Sequence, residues 1–169
     1  MKPVRRALAP LLLLCACGYH FTAGGPSLAG GTRPIFVPTV VNKTSEAGLD
    51  VVFTEALREQ LGRTGLLGGE KSPAHLDGEI LAVSAAPAVL ASSSAARASQ
   101  ALSYRVNVVL MVKLYRGSEL LTQTVVSGSE DYLQGQRPDI LSVESNRVAA
   151  LKRLAVALAQ DAYVRLAGG

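Results

Sequence analysis

The chain has 169 residues, of which 49% are hydrophobic and 18% are charged, and its formal net charge at neutral pH is +4. A chain of this length is typical of one domain, and this share of apolar residues is enough to form a core. Its two cysteines are Cys15 and Cys17, and two thiols alone cannot complete a cysteine-based metal site.

The first 16 residues have the pattern of a secretory signal peptide. Three basic residues precede an apolar stretch, residues 7–16, that only Pro10 interrupts. About 20 apolar residues are needed to cross a bilayer, so this stretch is too short for a transmembrane helix. We therefore expect residues 1–16 to be removed as a signal.

The end of this segment, Leu14-Cys15-Ala16-Cys17, is similar to the lipobox of bacterial lipoproteins. In a lipobox, a diacylglycerol is attached to the last cysteine and the chain is cut just before it. We predict that Cys17 is lipidated in this way, because a charged start and a short apolar run precede it and a small residue lies immediately before it. The several acyl chains of such a residue hold a protein firmly at a membrane. A C-x-C redox or metal pair is the alternative, but no further cysteine supports it.

Removal of the signal changes the charge balance. Lys2, Arg5 and Arg6 leave with it, so the 17 basic residues of the whole chain become 14, against 13 acidic residues. The remaining basic residues are scattered along the sequence, whereas a nucleic-acid-binding face needs clustered positive charge. We therefore exclude nucleic acid as a partner.

The first part of the mature chain predicts a tether, a strand and a helix. Residues 17–32 contain the lipidated cysteine and a flexible stretch rich in Gly, Pro and Ser, and the folded domain is expected over residues 33–169. Residues 33–42 are β-branched and contain two prolines, which places this strand at a sheet edge or a bulge. Apolar residues at spacings of three and four predict a helix over residues 49–61.

Three strands are predicted next. Residues 75–81 alternate between two faces, whereas residues 87–99 are rich in Ala and Ser and are assigned to a loop. On the first of these strands, one face is predicted to contain Leu76, Gly78, Ile80 and Ala82. Residues 102–115 keep a period of two throughout, which is the clearest strand signal in the chain. Gly117 then predicts a hairpin turn into a partner strand over residues 119–132.

A C-terminal helix completes the predicted fold. Pro138-Asp139 opens it, and its apolar residues again recur at spacings of three and four. They are Val148, Leu151, Leu154, Ala155, Leu158, Ala159 and Ala162. The element order predicts an α+β fold, in which two helices pack on one face of a small, mostly antiparallel or mixed four-stranded sheet.

Residues with catalytic chemistry are few. Neither His20 nor His75 lies in a motif that supplies a nucleophile or an orienting carboxylate. The acidic pairs at positions 77/79 and 130/131 lack the spacing of a metal site, and no glycine-rich phosphate-binding motif is present. We therefore expect no enzyme, no cofactor and no metal.

Several segments, taken in order, resemble those of one known family. Cys17-Gly18-Tyr19-His20-Phe21 is similar to the CGYxF start of the LptE family of lipopolysaccharide-assembly lipoproteins. Residues 35–44, IFVPTVVNKT, resemble its strand of the pattern I-x-V-P-x-F-x-N-x-T, although the family often has Phe where Val40 or Val41 stands.

The rest of the chain continues this resemblance. Thr54, Ala56, Leu57 and Leu61 match the first helix of the family. Tyr104-Arg105-Val106 is similar to the start of its long strand, and residues 144–158 resemble its final helix. The segment over residues 87–99 matches no family residues.

The resemblance implies a non-enzymatic role. In that family the lipoprotein lies inside the lumen of the outer-membrane β-barrel LptD, as its plug and assembly partner, and some members bind lipopolysaccharide. We therefore expect an LptD-type barrel and lipopolysaccharide as partners, with the acyl chains on Cys17, palmitate among them, anchoring the protein at the periplasmic face of the outer membrane. Gly18 is not the aspartate that retains lipoproteins in the inner membrane.

Lipopolysaccharide phosphates need exposed cationic side chains. Arg97 and Arg137 are the first choices, because both lie in segments predicted to be loops. Arg105 and Lys113, on the polar face of the long predicted strand, are the next choices. The alternative is that all four are solvated surface charges.

Two other functions are compatible with a lipid-anchored domain. One is an accessory or pilot lipoprotein of another envelope machine, such as a secretin or a transporter. The other is a periplasmic lipid carrier, which would need a cavity that domains of this size usually fill. The order of the motifs favours the LptE family over both, and a hydrolase ranks last.

Overall fold

The computed structural model describes residues 28–91, 100–133 and 140–168, which form two helices and five strands. The helices are α1 (Leu49–Arg63) and α2 (Ile140–Ala167), and the strands are β1 (Ile35–Phe36), β2 (Val41–Asn42), β3 (Ala74–Ala91), β4 (Gln100–Arg116) and β5 (Glu119–Leu133). A short 3₁₀ turn, Ala29–Gly31, precedes them. The predicted α+β fold is confirmed.

The sheet is built around three long antiparallel strands. β3, β4 and β5 follow one another in a meander, and β1 and β2 both pair in parallel with β3. The sheet has five strands rather than the predicted four, because the strand predicted over residues 33–42 is divided in two. In the break, Val40 is buried and its amide donates to the Thr54 hydroxyl at 2.9 Å instead of to a strand. Pro38 lies in the same break, where its missing N–H costs no ladder hydrogen bond.

Both helices pack on one face of the sheet, as predicted. Alternate residues of β4 are 0% exposed beneath them: Val106, Val108, Leu110, Val112 and Leu114. α2 approaches β5 closely at Gly128, where an added Cβ would lie 3.0 Å from Leu154 Cδ1 and 3.2 Å from Leu158 Cδ2. The predicted apolar stripe of α2 is buried except for Val148, which lies at the margin of the stripe and is 39% exposed.

β3 is much longer than the strand predicted over residues 75–81. It continues to Ala91, so residues 87–91 of the predicted loop belong to the strand. Its register against β4 shifts between Ile80 and Ala82, where one extra residue forms a bulge. The bulge reverses the alternation of the two faces. Ala82, predicted on the same face as the buried Ile80, is therefore exposed, and Val83 packs against the core instead.

The chain joins the fold beside the β4–β5 hairpin, whose turn is the predicted Gly117 with a φ of +57°. Leu28 is 2% exposed there. Arg116 Nη2 donates to the Gly30 carbonyl and the Thr32 hydroxyl, both at 2.8 Å. Residues 28–32 of the predicted tether therefore pack on the domain. The signal peptide, Cys17 and the domain boundaries stay predictions, because residues 1–27 lie outside the described part of the chain.

None of the helices in the described ranges combines the length and the apolar character that crossing a bilayer requires.

Candidate interaction surfaces

The two first-choice arginines, Arg97 and Arg137, lie outside the described residues, but the chain on either side of each is placed. β3 ends at Ala91, and β4 begins opposite it. β5 ends at Leu133, and α2 begins beside it, since Asn146 Nδ2 donates to the Leu133 carbonyl at 3.0 Å. The segments that carry the two arginines therefore leave and rejoin the fold at the same end, which we call the far end.

The far end is opposite the β4–β5 hairpin, where Leu28 docks. β4 runs from one end to the other over 17 residues, a length of about 55 Å. The point where the chain before β1 meets the domain and the strand ends that border the two undescribed segments are thus separated by the full length of the sheet.

Arg105 is held by a carboxylate on the helix-free face of the sheet. Its Nε and Nη2 donate to the two oxygens of Asp131 at 2.7 Å and 2.9 Å, and the two residues pair across β4 and β5. The hydrogen bond from Arg105 is the main cause that lowers the pKa of Asp131. Asp131 is therefore ionised at neutral pH, and a phosphate that binds Arg105 must compete with it.

Replacing Arg105 by glutamine is expected to raise the pKa of Asp131 toward the value usual for an aspartate, because the main cause of the lowered pKa is removed. In the unchanged protein the ion pair is complete at neutral pH and is lost as the pH falls through the lowered pKa of Asp131. Its effect on stability is small because both side chains are exposed. NMR titration of the Asp131 carboxyl carbon in both proteins measures the midpoint of its titration, which is the pKa.

Arg153→Gln is the matched control for this titration. Arg153 Nε donates to Glu130 Oε1 at 2.6 Å, one residue along the same strand from Asp131. This variant should leave the Asp131 midpoint where it is. An Asp131 midpoint that does not move in Arg105→Gln contradicts the assigned cause.

Lys113 lines a trough of about 450 Å³ on the helix-free face. Lys113 Nζ lies 4.0 Å from Glu79 Oε2, and Lys43 Nζ lies 3.6 Å from the other oxygen of the same carboxylate. Val41 and Met111 add apolar surface to the trough. Lys113 thus shares one acid with a second lysine, and with Asp77, which also lines the trough, the two cations are balanced by two carboxylates.

The structure places His75 and the acidic pairs in ordinary contacts. The ring of His75 stacks on Tyr115 with centroids 5.0 Å apart, and its Nε2 lies 3.8 Å from Asp77 Oδ2. In the described ranges, no three His, Cys, Asp or Glu side chains gather as a metal site. These contacts give His75 a packing role on the sheet face.

The sequence did not indicate a half-buried ion pair at the start of α2. Arg147 Nη2 donates to Glu46 Oε2 at 2.6 Å, and Glu144 lies 3.9 Å from the same guanidinium. The hydrogen bond from Arg147 to Glu46 is the main cause that raises the pKa of Arg147. The pair joins the loop before α1 to the first half of α2. Only the Glu144 spacing of three residues was visible in the sequence, since Glu46 is distant along the chain.

The architecture defines a class of small α+β domains in which a helix pair covers one face of a mostly antiparallel sheet. The hypothetical protein CT253 from Chlamydia trachomatis is similar to it, with a TM-score of 0.55 at 11% identity over 81% of this chain and 96% of that one. A Xanthomonas campestris protein has a TM-score of 0.52 at 10% identity over 85% and 90% of the two chains. A Caulobacter crescentus protein has a TM-score of 0.50 at 13% identity over 76% and 88%. These similarities show the fold alone.

The family is shown by the sequence of the described domain. Residues 32–166 match the model of the LptE family, described as lipopolysaccharide-assembly. The chain therefore belongs to the LptE family, as its motifs predict. Curated protein sequences include no match to the chain.

Proposed function

We propose that this chain is an outer-membrane lipoprotein that plugs an LptD-type β-barrel and assists its assembly in lipopolysaccharide transport. The observation that carries the proposal is the match of residues 32–166 to the lipopolysaccharide-assembly family, which spans the sheet and nearly all of both helices. The role is one of binding and assembly rather than catalysis.

The anchor of this proposal is Cys17, acylated at the periplasmic face of the outer membrane. Leu28, the first residue that the structure describes, is 11 residues further along the chain. At about 3.5 Å per residue, this tether spans at most about 38 Å. The hairpin end of the domain is therefore held near the membrane, and the far end is directed away from the anchor.

The surface of the domain is compatible with a polar barrel lumen. The mature chain is close to neutral, with 14 basic and 13 acidic residues after removal of the signal. Ion pairs such as Arg105–Asp131 and Arg153–Glu130 cover exposed parts of the sheet. The lumen walls of large outer-membrane barrels are polar, so such a surface can be buried there with its charges already paired.

Replacing Arg97 or Arg137 by alanine is expected to weaken lipopolysaccharide binding about ten- to a hundredfold, because a hydrogen bond to a charged group contributes about 1.5–3 kcal/mol. Both positions belong to segments that leave the fold at the far end, so the two side chains can serve one ligand. Titration of the purified protein with fluorescently labelled lipopolysaccharide measures the change in dissociation constant.

Arg63→Ala is the control, because Arg63 lies in the last turn of α1, where its Nη2 pairs with Glu59 Oε1 of the same helix at 3.0 Å. Its affinity for lipopolysaccharide should equal that of the unchanged protein. If all three variants weaken binding alike, the effect is one of overall charge and the far-end assignment is wrong.

Isolation of the lipidated protein from its native membrane in mild detergent tests the proposed function. A large barrel of the LptD type should be recovered with it in a one-to-one ratio. Recovery of a secretin ring or a transporter subunit in place of the barrel would show an accessory lipoprotein of another machine. A protein that is recovered alone with bound lipid would show a carrier.

A further inference from the structure

The edge of β3 opposite β4 is only half filled. β1 and β2 pair with the first part of this edge, at Ala74–His75 and at Glu79–Ile80. The last backbone contact runs from the Lys43 amide to the Ile80 carbonyl at 3.0 Å. Beyond it, over residues 81–91, no strand of the described residues pairs with this edge. About 35 Å of strand edge is left, at about 3.3 Å per residue.

The pairing identifies the backbone groups that face this edge. The Ile80 carbonyl points to it, because it accepts from Lys43. The bulge shifts the alternation by one residue, so Val83, Ala85 and Pro87 take the same orientation further along. Pro87 has no N–H. Because its nitrogen faces away from β4, the missing N–H costs no hydrogen bond between β3 and β4.

The half-filled edge lacks the charges that usually protect edge strands from pairing. Edge strands are commonly blocked by charged side chains, and residues 81–91 contain none. Residues 84–88 are all exposed and, apart from Ser84 and Pro87, are alanines. Small side chains leave room for a neighbouring strand on both faces. β5, at the other side of the sheet, carries Glu119, Glu130 and Asp131.

We infer that an uncharged, extended segment of the barrel partner completes this edge by adding to β3 as a further strand. The inference rests on the proposed function, because it states how the proposed partner is held. Such strand addition takes its affinity from backbone hydrogen bonds and places few demands on side chains. An uncharged edge selects an uncharged segment, because a charged side chain there would lose water without gaining a partner.

A second copy of this chain fits the edge less well than a different polypeptide does. Two copies that pair about a two-fold axis would each contribute Pro87, which cannot donate. Each would also contribute the irregular register between Pro87 and Leu90. In a pair of copies both strands would carry these irregularities, so the ladder of hydrogen bonds would be interrupted twice. With a regular strand from the barrel protein, only β3 carries them. The tether joins the fold at the hairpin end, so the far half of β3 faces away from the anchor.

Amide hydrogen exchange of the full lipidated protein, alone and in its complex with the barrel, tests the inference. Exchange at Val83 and Ala85 is expected to slow at least tenfold in the complex. Ala85→Pro removes one outward N–H and should lower the recovery of the barrel about fivefold, since one hydrogen bond contributes about 1 kcal/mol. Ala85→Val keeps that N–H and should leave the recovery unchanged.

Ser127→Pro is the matched control on the opposite edge of the sheet. Ser127 is exposed and lies opposite Val109, so its N–H faces outward from β5. This variant should recover the barrel as the unchanged protein does. If the barrel is recovered but exchange at residues 83–85 is the same in both states, or if Ala85→Pro and Ala85→Val act alike, strand addition is overturned and the proposed function stands. If no barrel is recovered, both are overturned.

Discussion

Replacing Phe53 by alanine is expected to lower the free energy of unfolding by about 3–5 kcal/mol, because the change removes a buried ring and leaves a cavity. Phe53 lies in α1, is 0% exposed and belongs to the core between the helices and the sheet. For a domain of this size the loss corresponds to a fall of about 10 °C in the melting temperature. Urea and thermal unfolding followed by circular dichroism measure both quantities.

Val51→Ala is the matched control for Phe53→Ala. Val51 lies two residues earlier in the same helix and is 54% exposed, so its truncation should change the free energy of unfolding by less than about 0.5 kcal/mol. Equal effects of the two variants would mean that α1 does not pack through Phe53. The helix would then be oriented differently on the sheet.

Replacing Cys17 by alanine is expected to abolish lipid attachment completely, because the proposed diacylglycerol is bonded to the sulfur of that residue. The protein should be lost from the outer-membrane fraction and should keep residues 1–16, because in a lipobox the cut before the cysteine follows attachment of the lipid. Labelled palmitate should no longer be incorporated. Membrane fractionation and intact-mass measurement record both effects.

Cys15→Ala is a control that the sequence itself supplies. Cys15 lies two residues before Cys17, inside the predicted signal, and leaves with it. This variant should keep the lipid, the membrane location and the mature mass of the unchanged protein. If Cys15→Ala loses the lipid while Cys17→Ala keeps it, the cleavage site is misplaced and the mature chain begins two residues earlier.

The repeating patterns of the sequence were enough to predict most of the fold. The two-residue period over residues 102–115 identified β4, and the spacing of apolar residues identified both helices within a few residues of their ends. These patterns work because each is imposed by one local geometry, that of a pleated strand or a helix with a buried face. The core follows directly from them.

The bulge at residue 81 shows why the rest of β3 could not be predicted. A bulge has no fixed sequence signature, and one added residue exchanges the two faces of everything after it. The Ala-rich stretch beyond it carries no strong strand propensity, so residues 87–91 were assigned to a loop. Their extended conformation depends on pairing with β4, a tertiary contact that no local pattern encodes.

The candidate surfaces, too, could be predicted from the sequence only in part. The sequence indicated which side chains carry positive charge, but it could not show that Arg105 is occupied by Asp131 or that Lys113 shares Glu79 with Lys43. The Arg147–Glu46 pair was missed because its two residues are 101 positions apart. Whether a cation is already paired depends on neighbours that only the folded chain brings together.

Leu28 is buried in the domain, and Arg116 donates hydrogen bonds to residues 30 and 32. These contacts fix the point at which the chain from the anchor joins the domain. With Cys17 held in the bilayer, as proposed, the domain explores a layer of the periplasm only tens of ångströms thick. A partner in the same membrane then meets it within this thin layer rather than in the whole volume, which raises its effective concentration. Contacts that are weak between dissolved molecules then keep a larger fraction of the complex assembled.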